Sequence, residues 1–338
     1  MFATMRALAL ALIPALAGCT CDARSKPAAG SGSAWVEVGS KPAAEVGGAV
    51  GSAGSAGSAA ASACNLETAI RVSRILTDPA HPCRPRILAA YGRMVRIGAG
   101  SDGASGTIVS TAAASGAGLL VTCRPCAEAA GGGRGRGPGL IDPERDPAPA
   151  IRIGAPARLA GGAVPAGAPG REARGLFGAD DFALAAITGE RLAPALDDPR
   201  GLAASRAPFV DVRPGATALV LGFADAEGGE LVASIGPVLA EDEARRRIAR
   251  AGPAEARLAY DPRVELAVAA RALPGMLGGG VFDEAGRFVG VAVRASAEPI
   301  DGAYLVRAVR ATSIAARLSA ALQAAPVPLR TKVLAFLP

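Results

Sequence analysis

Histidine is almost missing from this chain of 338 residues, with His81 its single copy. Any chemistry that needs an imidazole base must use that residue or do without one. Lysine is nearly as scarce, limited to Lys26, Lys41 and Lys332, and the arginine-heavy composition reads first as coding bias. No His/Cys/Asp/Glu cluster has metal-ligand spacing and no Gly-rich stretch has the form of a phosphate-binding loop. Neither a metal nor a cofactor is therefore expected. The net charge of +6 is spread along the chain, which argues against a nucleic-acid partner. What the chain does have is apolar material: 50% of its residues are hydrophobic and 20% charged, enough for one large core or two modest ones.

The N-terminus reads as an address. A weakly positive start is followed by the apolar stretch 7–15, interrupted by Pro14 and too short to span a bilayer. Leu16-Ala17-Gly18-Cys19 then resembles the bacterial lipobox, which implies a lipoprotein signal peptide over 1–18 and a diacylglyceryl group on Cys19. The alternative is an ordinary secretory signal with an incidental cysteine. Acyl chains on Cys19 would make the membrane a partner, each buried methylene adding ~0.8 kcal/mol. Thr20 follows where Asp would signal retention in enteric bacteria, so the expected place is the outer membrane, facing the periplasm. Residues 19–63 are Gly/Ala/Ser-rich and read as a disordered tether with a root-mean-square reach of ~35–40 Å.

Six cysteines in an exported chain suggest disulfides. With Cys19 lipidated and Cys21 in the tether, the candidates are Cys64, Cys83, Cys123 and Cys126. Four cysteines allow three pairings. The favoured one joins Cys64 to Cys83 around a predicted helix and Cys123 to Cys126 locally; the first loop would contribute about 3 kcal/mol in the chain-entropy model. A redox role for Cys123-Arg124-Pro125-Cys126 stays open, although its flanks do not resemble a thioredoxin-like βαβ unit.

A helical pattern covers 66–76, stopped by Asp78-Pro79. Beyond it, short apolar runs recur at 94–97, 107–109, 119–122, 182–187, 218–223, 231–235, 288–293 and 304–309, separated by Gly, Pro and Asp clusters. Such irregularly spaced, strand-length runs argue for an all-β barrel or sandwich over 64–325. Residues 131–139 read as a flexible loop, 241–250 as a solvated helix or long loop, 311–322 as a closing amphipathic helix, and 326–338 as a tail.

Four segments, in order, resemble trypsin-like serine proteases, especially the envelope branch of HtrA (Deg) type. Met94-Val95-Arg96-Ile97 with Ser105-Gly106-Thr107-Ile108-Val109-Ser110 looks like the opening strands of a first barrel. Leu119-Leu120-Val121-Thr122-Cys123-Arg124-Pro125-Cys126 looks like the strand that ends in Thr-Ala-Ala-His-Cys. Asp180-Asp181-Phe182-Ala183-Leu184 resembles the stretch carrying the triad aspartate. Gly275-Met276-Leu277-Gly278-Gly279-Gly280 resembles Gly-x-Ser-Gly-Gly-Pro, and a hairpin pattern follows it. The likeness runs over 93–322. It implies two six-stranded antiparallel barrels with a short N-terminal helix and a C-terminal helix.

It also implies a degenerate triad. The carboxylate position falls on Asp181, the histidine position on Pro125 and the serine position on Leu277. Residues 260–294 carry no serine or threonine that a shifted alignment could recruit, and His81 precedes the first barrel strand. The N–H groups of Gly275 and Leu277 could still form an oxyanion-type nest, since that needs backbone and not side-chain chemistry. The resulting expectation is a non-catalytic protease homologue that binds peptides or envelope proteins. The alternatives are an active hydrolase with an unrecognised site that uses His81 and a purely structural lipoprotein.

Overall fold

The computed structural model describes residues 64, 66, 68–98, 103–112, 117–130, 138–143, 151–154, 157, 171–187, 211–225, 229–251 and 258–336. Cys19, Cys21, the signal peptide and the tether lie outside the described residues, as does most of the 131–139 loop.

Two antiparallel sheets carry the chain. The first is built from β2 (Met94–Ile97), β3 (Ala104–Ala112), β4 (Ala117–Cys123), β6 (Ile151–Ile153), β7 (Arg171–Gly178) and β8 (Phe182–Ile187). Its order is β7-β6-β2-β3-β4-β8, and a further β7–β8 pairing closes it into a six-stranded barrel, with β5 (Gly139–Leu140) added along β7. The second contains β9 (Thr217–Ala224), β10 (Glu230–Pro237), β11 (Glu265–Val268), β12 (Gly280–Phe282), β13 (Phe288–Ala295) and β14 (Val306–Arg310). Here the order is β10-β9-β12-β13-β14-β11, with β1 (Ile70–Arg71) on the outer edge of β10. Its two ends meet through the Val238–Val268 bridge, where Leu239 N–H donates to Ala267 O at 2.8 Å.

Side-chain parity explains why the strands read as near-continuous apolar runs. Val95, Ile97, Ile108, Leu120, Ile153 and Ile187, with contributions from all six strands, fill the first barrel. Val220, Val232, Leu266, Val281, Val289 and Val306 fill the second. The alternate positions face a shared layer instead: Met94 and Val121 from one barrel, Leu219, Leu221 and Val291 from the other. The central strands β8, β9, β10 and β13 thus bury both faces over most of their length.

Helices cover the ends. Helices α1 (Val72–Thr77) and α2 (Arg84–Ala90) precede the first barrel, and Cys64 is bonded to Cys83 at the start of α2. Arg86 from α2 donates to Thr217 O at 2.6 Å and to Asp283 O at 3.1 Å, tying the helix to the second barrel. Its guanidinium pKa is lowered, chiefly by burial. The short α3 (Arg124–Ala129) follows β4, and α4 (Glu241–Arg250) follows β10. Acids fill the first turn of α4 and arginines its last, complementing the helix dipole, so 241–250 is a helix and not a loop. Helices α5 (Ala311–Ala324) and α6 (Val327–Phe336) end the described chain, with Lys332 held to Asp142 at 3.3 Å. Among the described residues no helix is long and apolar enough to cross a membrane.

The fold differs from the sequence expectation in detail. Helix α1 starts at Val72 rather than residue 66, because Ile70 and Arg71 pair with Ala233 and Val232 on an otherwise open sheet edge. Strands β5, β6, β7, β11 and β12 have no long apolar run to announce them. In β7 the exposed Glu172 and Arg174 flank a buried Ala173, a pattern set by only one apolar face. Gly139, expected in a loop, belongs to β5, and part of the expected tail forms α6.

Candidate functional site

The loop of residues 273–280, the start of α3 and the start of β8 come together where the barrels meet. β4 and β8 pair Cys123 with Phe182, which places Asp181 beside the first turn of α3, and Arg124 N–H donates to Asp181 O at 3.0 Å. Cys123 and Cys126 are disulfide-bonded across that turn, with Pro125 exposed between them. The Cys126 sulfur lies 3.5 Å from Leu277 O, so α3 touches the glycine loop. Pro125, Asp181 and Leu277 therefore belong to one neighbourhood.

Beyond the bond its carbonyl accepts from Arg124, Asp181 makes a long-range contact. Its carboxylate meets the Arg294 guanidinium of β13 at 2.9 Å, an ion pair that crosses from one barrel to the other. The network continues inward: Glu265 pairs with Arg307 at 2.7 Å, both almost wholly buried. Burial pushes the Glu265 carboxyl up, against the opposing pull of Arg307, while Asp181 raises it and Arg294 lowers it more weakly. The lone imidazole is elsewhere. Nδ1 of His81 accepts from Cys83 N–H at 3.1 Å, helping to close the turn that enters α2.

The 273–280 loop is held by its carbonyls. Leu273 O accepts from Met276 N–H (3.0 Å), Pro274 O from Asp225 N–H (3.0 Å) and Met276 O from Gly279 N–H (3.0 Å). Gly275 O accepts from Ser105 Oγ at 2.8 Å, and Leu277 O from Ser105 N–H at 2.9 Å. Gly278 N–H donates to Ala292 O at 2.7 Å. Among the described residues, the N–H groups of Gly275 and Leu277 are left without an acceptor. In a trans peptide the N–H lies opposite the preceding carbonyl. Because Pro274 O and Met276 O bond within the protein, these two N–H groups point away from those partners.

Two glycines make this conformation accessible. Gly275 has φ +89°, and a Cβ there would come within 2.6 Å of Phe223 O. Gly278 has φ +83°, and its Cβ would collide with Ser105 O and the Thr122 hydroxyl. Both the backbone angle and the close approach require glycine.

Ser105 is the residue that sequence reasoning missed. It is fully buried on β3, its hydroxyl accepts from Phe223 N–H at 2.8 Å while donating to Gly275 O, and its carbonyl accepts from Thr122 Oγ1 at 2.8 Å. The signal was present in Ser105-Gly106, but nothing local says that a β3 hydroxyl will meet a loop 170 residues away. Arg294 and the Arg271–Tyr304 stack, 4.8 Å from guanidinium to ring centroid, were missed for the same reason. Among the described residues no cluster suited to hold a metal ion occurs.

Several solved structures are similar to this chain. They include Rv3671c from M. tuberculosis H37Rv in an inactive form (19% identity over 74% of this chain and 96% of that one, TM-score 0.43). The MamO protease domain from Magnetospirillum magneticum matches at 19% identity over 68% and 96% (TM-score 0.41). The HtrA-type protease AlgW with tripeptide matches at 15% over 70% and 62% (TM-score 0.40). No curated protein matches the chain. The family model described as the trypsin-like peptidase domain matches residues 104–291, which span β3 to β13, and the chain belongs to that family.

Proposed function

We propose that this protein is a trypsin-like scaffold that has given up hydrolysis and binds peptides or envelope proteins, held to the bacterial envelope by lipid on Cys19. The observation that carries the reading is the surroundings of Asp181. Its carboxylate is engaged by Arg294, and the flanking positions hold Pro125 and Leu277, which offer neither a base nor a nucleophile. A serine-protease mechanism needs a hydroxyl, a base to take its proton and a carboxylate to orient that base. Loss of nucleophile and base lowers turnover about 10⁶-fold in enzymes of this chemistry.

Among the described residues, the hydroxyls that touch the glycine loop offer no substitute: Ser105 and Thr122 are buried and committed to hydrogen bonds inside the protein. His81 serves the turn before α2. The backbone of the 273–280 loop, in contrast, keeps two donors that could hold a peptide carbonyl, with strand addition supplying the remaining affinity. The test uses the purified full chain, which should neither hydrolyse casein nor be labelled by fluorophosphonate probes. Covalent labelling at any residue would overturn the proposal.

A further inference from the structure

The segment 271–277 carries a second feature that the missing chemistry leaves unexplained. Arg271 stacks its guanidinium on the Tyr304 ring at 4.8 Å, and among the described residues no carboxylate pairs with it. Among the described residues, other arginines around the loop have carboxylate partners: Arg294 has Asp181, Arg96 has Asp225, Arg124 has Glu128 and Arg307 has Glu265. Arg271 and Tyr304 are both partly exposed. The backbone of Arg271 is anchored, since its carbonyl accepts from Ser234 Oγ at 2.6 Å. A guanidinium stacked on an aromatic face keeps its charge and its fork of donors for an anion. The Gly275 and Leu277 N–H groups follow from four residues on; among the described residues they have no acceptor, and they belong to partly exposed residues.

We propose that residues 271–277 form a carboxylate-binding site whose ligand is the free C-terminus of a peptide. The proposal rests on the peptide-binding reading above and names the part of the peptide that is recognised. In an active peptidase of this chemistry, two such donors meet charge that develops only during reaction. With Leu277 in place of a nucleophile no such charge develops, and a ground-state anion is the ligand that uses them best. Hydrogen bonds to an ionised acceptor are roughly twice as strong as those to a neutral carbonyl. Arg271 supplies the long-range attraction, and the N–H pair supplies position.

The test compares two dye-labelled oligoalanine peptides, one with a free C-terminal carboxylate and one amidated, by fluorescence anisotropy with the full chain in detergent. The acid should bind at least about tenfold more tightly than the amide. Arg271→Gln should remove most of that preference, and Arg271→Lys should keep part of it. Equal binding of acid and amide to the wild-type chain overturns the carboxylate site while leaving the peptide-binding reading intact. Absence of binding by either peptide overturns both. The wild-type comparison stands even if a variant fails to fold, which thermal melting would reveal.

Discussion

Ser105 shows how one small side chain can hold a functional loop. Its hydroxyl accepts from the buried Phe223 N–H and donates to Gly275 O, so it couples β9 and the glycine loop to β3. Alanine at this position would strand the Phe223 N–H without an acceptor, a loss of about 2 kcal/mol. Urea denaturation of Ser105→Ala against the parent chain should show it. A loss below ~0.5 kcal/mol would mean that another acceptor takes over and that the hydroxyl does not position the loop. Leu277 and Pro125 are the opposite case. Their identity was legible from the sequence, and the structure adds only that they sit beside Asp181.

Among elements, β11 and β14 carry the charge that most depends on burial. Glu265 lies opposite Val309 and Arg307 opposite Ala267, so their ion pair runs diagonally across these paired strands, and burial raises the Glu265 pKa above the ordinary value of 4.5. A raised carboxyl binds its proton more tightly in the folded state than in the unfolded one. Its contribution to stability is therefore full below the ordinary value and declines as pH rises through the raised one. The thermal midpoint of the parent chain should fall relative to that of Glu265→Gln as pH rises above the ordinary carboxylate value of 4.5. A difference between the two chains that does not vary with pH would refute this. Nothing in the sequence marked Glu265 as buried, because an acid in Val264-Glu265-Leu266 reads as a solvent-facing strand position until its partner strand is known.

For the molecule as a whole, the contacts that cross between barrels define the site. Arg96–Asp225 at 3.0 Å, Asp181–Arg294 at 2.9 Å and the hydrogen bonds of Ser105 all join the first barrel to the second around the 273–280 loop. The proposed anchor adds a whole-molecule expectation. Cys19→Ser should move the full chain from the membrane fraction to the soluble fraction on cell fractionation. Retention in the membrane would show that something other than lipid on Cys19 holds it there.

By itself the sequence determined the strand-rich class and the order of the four family-like segments, and it set the expectation of a degenerate triad at Pro125 and Leu277. Those are properties of local composition: apolar runs between turn residues, and residue types that no fold can change. Only the tertiary structure decided that alternate residues of each strand divide between a barrel interior and a shared layer. It alone placed Arg294 on Asp181 and, among the described residues, left Arg271 without a carboxylate. It alone brought Ser105 to a glycine loop 170 residues away. Each of these depends on the register in which the two sheets pack together, and register is set by long-range burial that no short stretch of sequence contains.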